Sequence, residues 1–205
     1  MSPMAYSAKP SVLRCSRCGR FVDWAEARLQ IVCGCRPHLD LPPVLTRKAT
    51  AEERVVALEL FRRDFGRTRI ATFGEVVSLE DTSTIVADMQ GDISGALAWK
   101  ARDDGLQIVA LATDPMWQRS GVGGHLVAEA EALARRNGTG RIVLATTNDN
   151  LPALYFYQRR GYRIFEVVRN AWRDHADLAF NAGFADIPVV DELRLEKVFD
   201  STGAA

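Results

Sequence analysis

Residues 106–138 read LQIVALATDPMWQRSGVGGHLVAEAEALARRNG: a near-continuous apolar run, a glycine-rich turn and an amphipathic helical pattern. An apolar run with so little alternation belongs to a strand covered on both faces. From Val122 onward, Leu126, Val127, Ala130, Leu133 and Ala134 fall on one stripe, and Arg135, Arg136 and Asn137-Gly138 supply a basic last turn and a stop. A buried strand that feeds straight into a helix constrains the chain to layered α/β architecture. The glycines also let backbone N–H groups face an anion at the positive end of that helix.

The flanking segments extend the pattern. VLTRKA reads as a short strand, and TAEERVVALELFRRDFG as a helix with Thr50 as N-cap, Glu52 and Glu53 in its first turn and Gly66 as its stop. Residues 67–82 have no clear period. STIVADMQGDISGALAWKARDDG reads as two strands joined at Gly91-Asp92. After the glycine turn and its helix come the strand RIVLATT, the helix LPALYFYQRRG with Pro152 in its first turn, and the strands YRIFEVV and DELRLEKVF.

All four cysteines lie at the N-terminal end of the 205 residues, at Cys15, Cys18, Cys33 and Cys35. In a reducing compartment such clustering favours a metal site over disulfides. The spacing C-x2-C followed by C-x-C, with glycines beside the thiols, suits a zinc ribbon holding Zn2+ tetrahedrally on four thiolates. An alternative ligand set replaces Cys33 by His38, which has C-x2-H spacing from Cys35. LDLPPV then breaks the chain near residue 42, so that 1–41 form a small zinc-ribbon-like module, structural or used for recognition, and 42–205 the main domain.

With 26 basic and 26 acidic residues the chain has no net charge to favour nucleic acid or anionic membrane, although KPSVLRCSRCGR is locally basic. The start of the chain has no apolar core of signal-peptide length and no run spans a membrane, so a cytoplasmic location is expected. A homodimer stays open. Any phosphate site must be local, and spacing separates the candidates. A nucleotide P-loop needs Lys after its glycines, and a dinucleotide fingerprint needs a third glycine where Leu126 stands. What remains is Gln118-Arg119-Ser120-Gly121-Val122-Gly123, a Q-x-x-G-x-G turn.

A second stretch, NDNLPALYFYQRRGY, carries Asn150, Ala153, Tyr157, Gly161 and Tyr162 in the pattern N-x-x-A-x-x-x-Y-x-x-x-G-Y. Together with Pro115, six residues before Gly121, the two motifs resemble the GNAT superfamily of acyl-CoA-dependent N-acetyltransferases over roughly residues 43–200. The resemblance implies a GNAT-like mixed β-sheet flanked by helices, with acetyl-CoA as co-substrate and an unidentified amine as acceptor. It implies that amides of Gln118, Arg119, Ser120, Gly121, Val122, Gly123 and Gly124 hold the pyrophosphate. Leu111, Ala112 and Thr113 would pair through their backbone with the pantetheine arm, Asn150 would touch that arm, and Tyr157 would face the thioester sulfur as catalytic residue. Two features depart from the family: Arg119 stands where a small residue is usual, and residues 67–82 are a poor helix where two helices commonly lie between the first two strands.

Acetyl transfer to an amine with a lysine-like pKa near 10.4 needs a group to take its proton. Glu192 and Glu75 are the candidates, each set against the commoner role of a solvated surface carboxylate. A free backbone N–H near Leu111 to Thr113 would meet the oxyanion. His125 and His175 read as surface residues, and Trp24, Trp99, Trp117 and Trp172 as packing or rim aromatics. Two other functions fit parts of the pattern, a non-catalytic acyl-CoA sensor and a zinc-ribbon docking protein.

Overall fold

The computed structural model describes residues 12–14, 21–23, 43–118, 120–172 and 183–199. The cysteines, His38, His175, Trp24 and Arg119 lie outside the described residues. Near the start, β1 (Val12–Arg14) and β2 (Phe21–Asp23) pair antiparallel. The main domain opens with β3 (Leu45–Lys48) and α1 (Ala51–Phe65). Thr50 and Glu53 form a reciprocal capping box, and Gly66 ends the helix at φ 69°. Both devices satisfy terminal backbone groups, and a cap of this kind contributes about 1 kcal/mol.

Residues 67–82, left without a period by the sequence, form a separate hairpin, β4 (Arg69–Thr72) and β5 (Glu75–Ser78), followed by a 3-10 turn. Phe73 and Gly74 both have positive φ, the backbone of a tight two-residue hairpin turn. Next come β6 (Ser83–Met89), β7 (Asp92–Arg102) and β8 (Gly105–Thr113). The β6–β7 turn sits on Gln90-Gly91, one residue earlier than the sequence suggests, because those two residues adopt positive φ. The remainder is α2 (Val122–Arg136), β9 (Arg141–Thr147), α3 (Leu151–Gln158), β10 (Arg163–Val168) and β11 (Glu192–Val198).

Seven strands form one mixed sheet in the order β10-β11-β9-β8-β7-β6-β3, and β8 with β9 is its parallel pair. Helices cover both faces, as the buried character of β8 requires. On one face α1 places Ala57, Leu60 and Phe61 against Val86, Ala96, Ala98, Ala110 and Ala112. On the other, α2 and α3 pack Val122, Leu126, Val127 and Leu154 against Ile85, Leu97, Ile142, Leu144 and Leu195. Gly95 is what lets α2 start so close to the sheet: a Cβ there would stand 2.7 Å from Val122 Cγ1 and 3.0 Å from the Ala112 carbonyl oxygen. Among the described residues no helix is long and apolar enough to cross a membrane.

Candidate active site

The site begins where the parallel pair comes apart. Leu106, Gln107 and Ile108 are in register with Ile142, Val143 and Leu144, but β8 continues to Thr113 and β9 to Thr147 without further pairing to each other. The cause is visible on the other side of β8. Ala98 pairs with Ala110 and Trp99 with Ile108, so Val109 is an extra residue, a bulge that bends the strand away from β9. The Asp114 amide donates to the Ser94 carbonyl across β7 at 2.9 Å. By strand alternation Ala112 also turns its N–H and C=O toward β7, while those of Leu111 and Thr113 face the opening.

The glycine turn meets the mouth of this opening. Gly121 takes φ 98° as N-cap of α2, without any side-chain cap. The Gln118 and Ser120 amides donate to the Pro115 and Trp117 carbonyls, whereas among the described residues no acceptor meets the amides of Gly121, Val122, Gly123 and Gly124. Four donors at the positive end of a helix make an anion site of the phosphate-binding kind. His125 is exposed on the same turn and carries no such role.

The second motif packs directly on the first. A Cβ on Gly123 would lie 3.4 Å from the Phe156 ring and 3.7 Å from Thr113 Oγ1, so the end of β8, the start of α2 and the middle of α3 converge. Asn150 caps α3, its Oδ1 accepting from the Ala153 amide at 3.2 Å. Its amide nitrogen has no partner among the described residues. Tyr157 is buried, set edge-on to Phe156 and Tyr162 at ring-centroid distances of 5.0 and 5.4 Å. Burial pushes its phenol pKa well above the ordinary value, against a smaller lowering by Arg160. No partner among the described residues meets its hydroxyl.

Arg160, which the sequence gives no reason to single out, lies across the same turn. Its guanidinium stacks 3.7 Å from the Phe156 ring centroid, and Nη2 would stand 2.7 Å from a Cβ on Gly124. Partial burial, followed by repulsion from Arg159, lowers its pKa. A cation held over the positive end of α2 adds to the attraction for a phosphate there.

The opposite face of the sheet holds a pocket of about 120 Å3 between the β4–β5 hairpin and the start of β11. Glu192 lies in its wall. It was set against the role of a solvated carboxylate, and the structure corrects that: it is 4% exposed, accepts from Arg194 Nε at 2.6 Å, and accepts from the Phe73 amide at 3.2 Å. Register puts it opposite Thr147, at the end of the diverging β9. Arg194 also donates to Glu166 at 2.8 Å, and these bonds raise its pKa against the cost of burial. Glu75, by contrast, is exposed and paired with Lys100.

The NDN triplet does more than its last residue suggested. Asn148 Oδ1 accepts from the Val190 and Asp191 amides at 2.8 and 2.9 Å, and Asp149 Oδ2 accepts from the Phe184 amide at 2.9 Å. These bonds tie residues 184–191 to the end of β9. The sequence signal was three consecutive polar residues after a buried strand, a pattern that is legible only once a returning segment is known. Among the described residues no group of three His, Cys, Asp or Glu side chains is placed to hold a metal.

This geometry has relatives. A sequence profile described as Acetyltransferase (GNAT) family matches residues 49–162. The Bacillus subtilis (strain 168) protein YxbD, itself uncharacterised, is 36% identical over 108 residues, 51% of this chain and 67% of its own length. Streptothricin acetyltransferase of Streptomyces lavendulae is 34% identical over 85 residues, 40% of this chain and 45% of its own. Among solved structures, a Bacillus subtilis acetyltransferase in complex with CoA superposes with TM-score 0.59 at 22% identity, covering 78% of this chain and 99% of its own. A GNAT family acetyltransferase from Elizabethkingia anophelis with acetyl-CoA bound gives 0.60 at 18% identity, with coverage of 76% and 98%.

Proposed function

The chain belongs to the acetyltransferase (GNAT) family and is an acetyltransferase, and from that premise we propose that it transfers the acetyl group of acetyl-CoA to a primary amine by direct attack on the thioester. The observation that carries this reading is the opening between β8 and β9 beside four amides at the start of α2 that meet no acceptor among the described residues. The pantetheine arm runs along β8 as an added strand, paired with Leu111 and Thr113, with Ala112 between them. The pyrophosphate rests on Gly121 to Gly124, with Gln118, Arg119 and Ser120 forming the approach to that turn and Arg160 above it. Asn150, whose Oδ1 is committed to its cap, donates from its amide nitrogen to the arm.

In the transfer, the amine nitrogen forms a bond to the acetyl carbon and the C–S bond breaks. The proton leaving nitrogen goes to solvent or a base, and the departing sulfur accepts a hydrogen bond from Tyr157. A backbone N–H of bulged β8 meets the charge that develops on the carbonyl oxygen. The bound CoA and acetyl-CoA of the structural neighbours support this choice of co-substrate. Incubation with acetyl-CoA and a panel of primary amines should release CoA thiol in equal amount to an acetylated amine seen by mass; thiol release without acetylated amine would contradict it.

The N-terminal module is proposed to hold one structural zinc ion on Cys15, Cys18, Cys33 and Cys35, in a protein acting in the cytoplasm. Val12–Arg14 pairs antiparallel with Phe21–Asp23, on either side in sequence of Cys15 and Cys18, which supports bringing those two thiols together. The chemistry of the donor set fits Zn2+, and zinc in small modules contributes on the order of 10 kcal/mol to local folding. Metal analysis of protein purified without added zinc should find one ion per chain, lost in Cys15→Ser. Metal-free protein as stable as the metal-loaded form would overturn the assignment.

A further inference from the structure

Resting on the acetyl-transfer reading, we infer that the pocket at Glu192 and Arg194 selects an α-amine, an amino group one carbon away from a carbonyl, over a side-chain amine or polyamine. The pocket opens on the sheet face opposite α2 and α3. Leu193 and Leu195 pack toward those helices, so Glu192 and Arg194, alternating with them, face the other way. An acceptor there meets the thioester from the side away from the CoA arm.

The wall is dipolar. Glu192 offers a carboxylate, and Arg194 Nε is bonded to it at 2.6 Å while Nη1 holds Glu166 at 2.8 Å. Nη2 of Arg194 has no hydrogen-bond partner among the described residues, and its guanidinium is steadied over the Phe73 ring at 4.7 Å from the centroid. An acceptor with adjacent amino and carbonyl groups can use both: its ammonium binds on Glu192 and gives up one proton to solvent before attack, and its carbonyl oxygen accepts from Arg194. Arg102, also over the Phe73 ring, is paired with Asp104, and of the charged residues that line the pocket, Glu75 and Glu192 against Arg194 leave one unit of negative charge. That accommodates one ammonium, and a second would be repelled by Arg194.

Size and acidity point the same way. About 120 Å3 is well below the pockets that enclose drug-sized ligands, and it suits a head group or chain terminus. Glu192 already accepts from Phe73 and Arg194, and these bonds fix its carboxylate in place as an anchor. An α-amine with pKa near 7.8 is roughly one-third neutral at pH 7.5, whereas a lysine-like amine is roughly 0.1% neutral. The α-amine therefore needs far less help from a base.

The test uses the full chain with acetyl-CoA and glycine, glycinamide, triglycine amide, isobutylamine and cadaverine. Glycinamide should exceed isobutylamine and cadaverine in kcat/KM by at least about tenfold, and glycine against triglycine amide tells a free amino acid from a chain terminus. Glu192→Gln should raise the glycinamide KM by about tenfold or more, with kcat within about threefold and the acetyl-CoA thermal shift retained. Cadaverine used as well as glycinamide would overturn the inference, as would a Glu192→Gln enzyme with reduced kcat and unchanged KM. Saturable thermal stabilisation by glycinamide, lost in Glu192→Gln, upholds the pocket even without turnover, so failure of acetyl transfer is read separately. Neither stabilisation nor turnover overturns both.

Discussion

Tyr157→Phe should lower kcat by at least about tenfold while leaving acetyl-CoA affinity nearly unchanged, because proton donation of this type typically contributes about 10²–10⁴-fold. A phenol near pKa 10 is a weaker acid than a thiol near 8.5, so full transfer to the departing thiolate is uphill by roughly 2 kcal/mol before any environmental effect. Burial of Tyr157 raises its pKa further. In the proposed reaction the hydroxyl is therefore a hydrogen-bond donor that strengthens as charge grows on sulfur. The ring itself supports the fold, wedged edge-on between Phe156 and Tyr162, and Phe preserves that packing. Thermal melting and acetyl-CoA titration of the variant should match the parent, with the loss confined to turnover under saturating substrates. Equal turnover would leave water as the donor.

Much of the scaffold was legible in the sequence because local signals agreed with the tertiary outcome. The capping residue Thr50, the stop at Gly66 and the stripe on α2 each mark an element whose local chemistry matches its burial. Residues 67–82 were opaque for the converse reason: their hairpin turn rests on Phe73, a bulky residue at φ 52° whose backbone N–H donates a hydrogen bond to Glu192, 119 positions along the chain. No local rule contains that contact.

The candidate site divides along the same line. Glycines and the asparagine cap leave residue-type signatures, so Gly121, Gly123 and Asn150 could be named from spacing. The bulge at Val109 involves only backbone between ordinary apolar residues and leaves none. Glu192 looked like any strand carboxylate until register placed it beside Arg194 and under the Phe73 turn. Arg160 was hidden by its setting in a basic pair, and its stacking on Phe156 and approach to the Gly124 position distinguish it from Arg159.

Gly121→Asp should abolish acetyl-CoA binding. At φ 98° an aspartate is strained, and its carboxylate stands where the pyrophosphate would rest. Two unit charges 4 Å apart repel by about 4 kcal/mol near a protein surface, nearly a thousandfold in affinity. Gly121→Asn tolerates the same backbone without the charge, and should lose much less. The direct measurement is hydrogen–deuterium exchange of the parent and Gly121→Asp with and without acetyl-CoA. In the parent, acetyl-CoA should slow exchange at the amides of Leu111, Thr113 and Gly121 to Gly124, leaving the β4–β5 hairpin unchanged, and Gly121→Asp should show no such protection. Protection elsewhere in the chain, or equal protection in the parent and the variant, would contradict the placement of acetyl-CoA in the opening between β8 and β9.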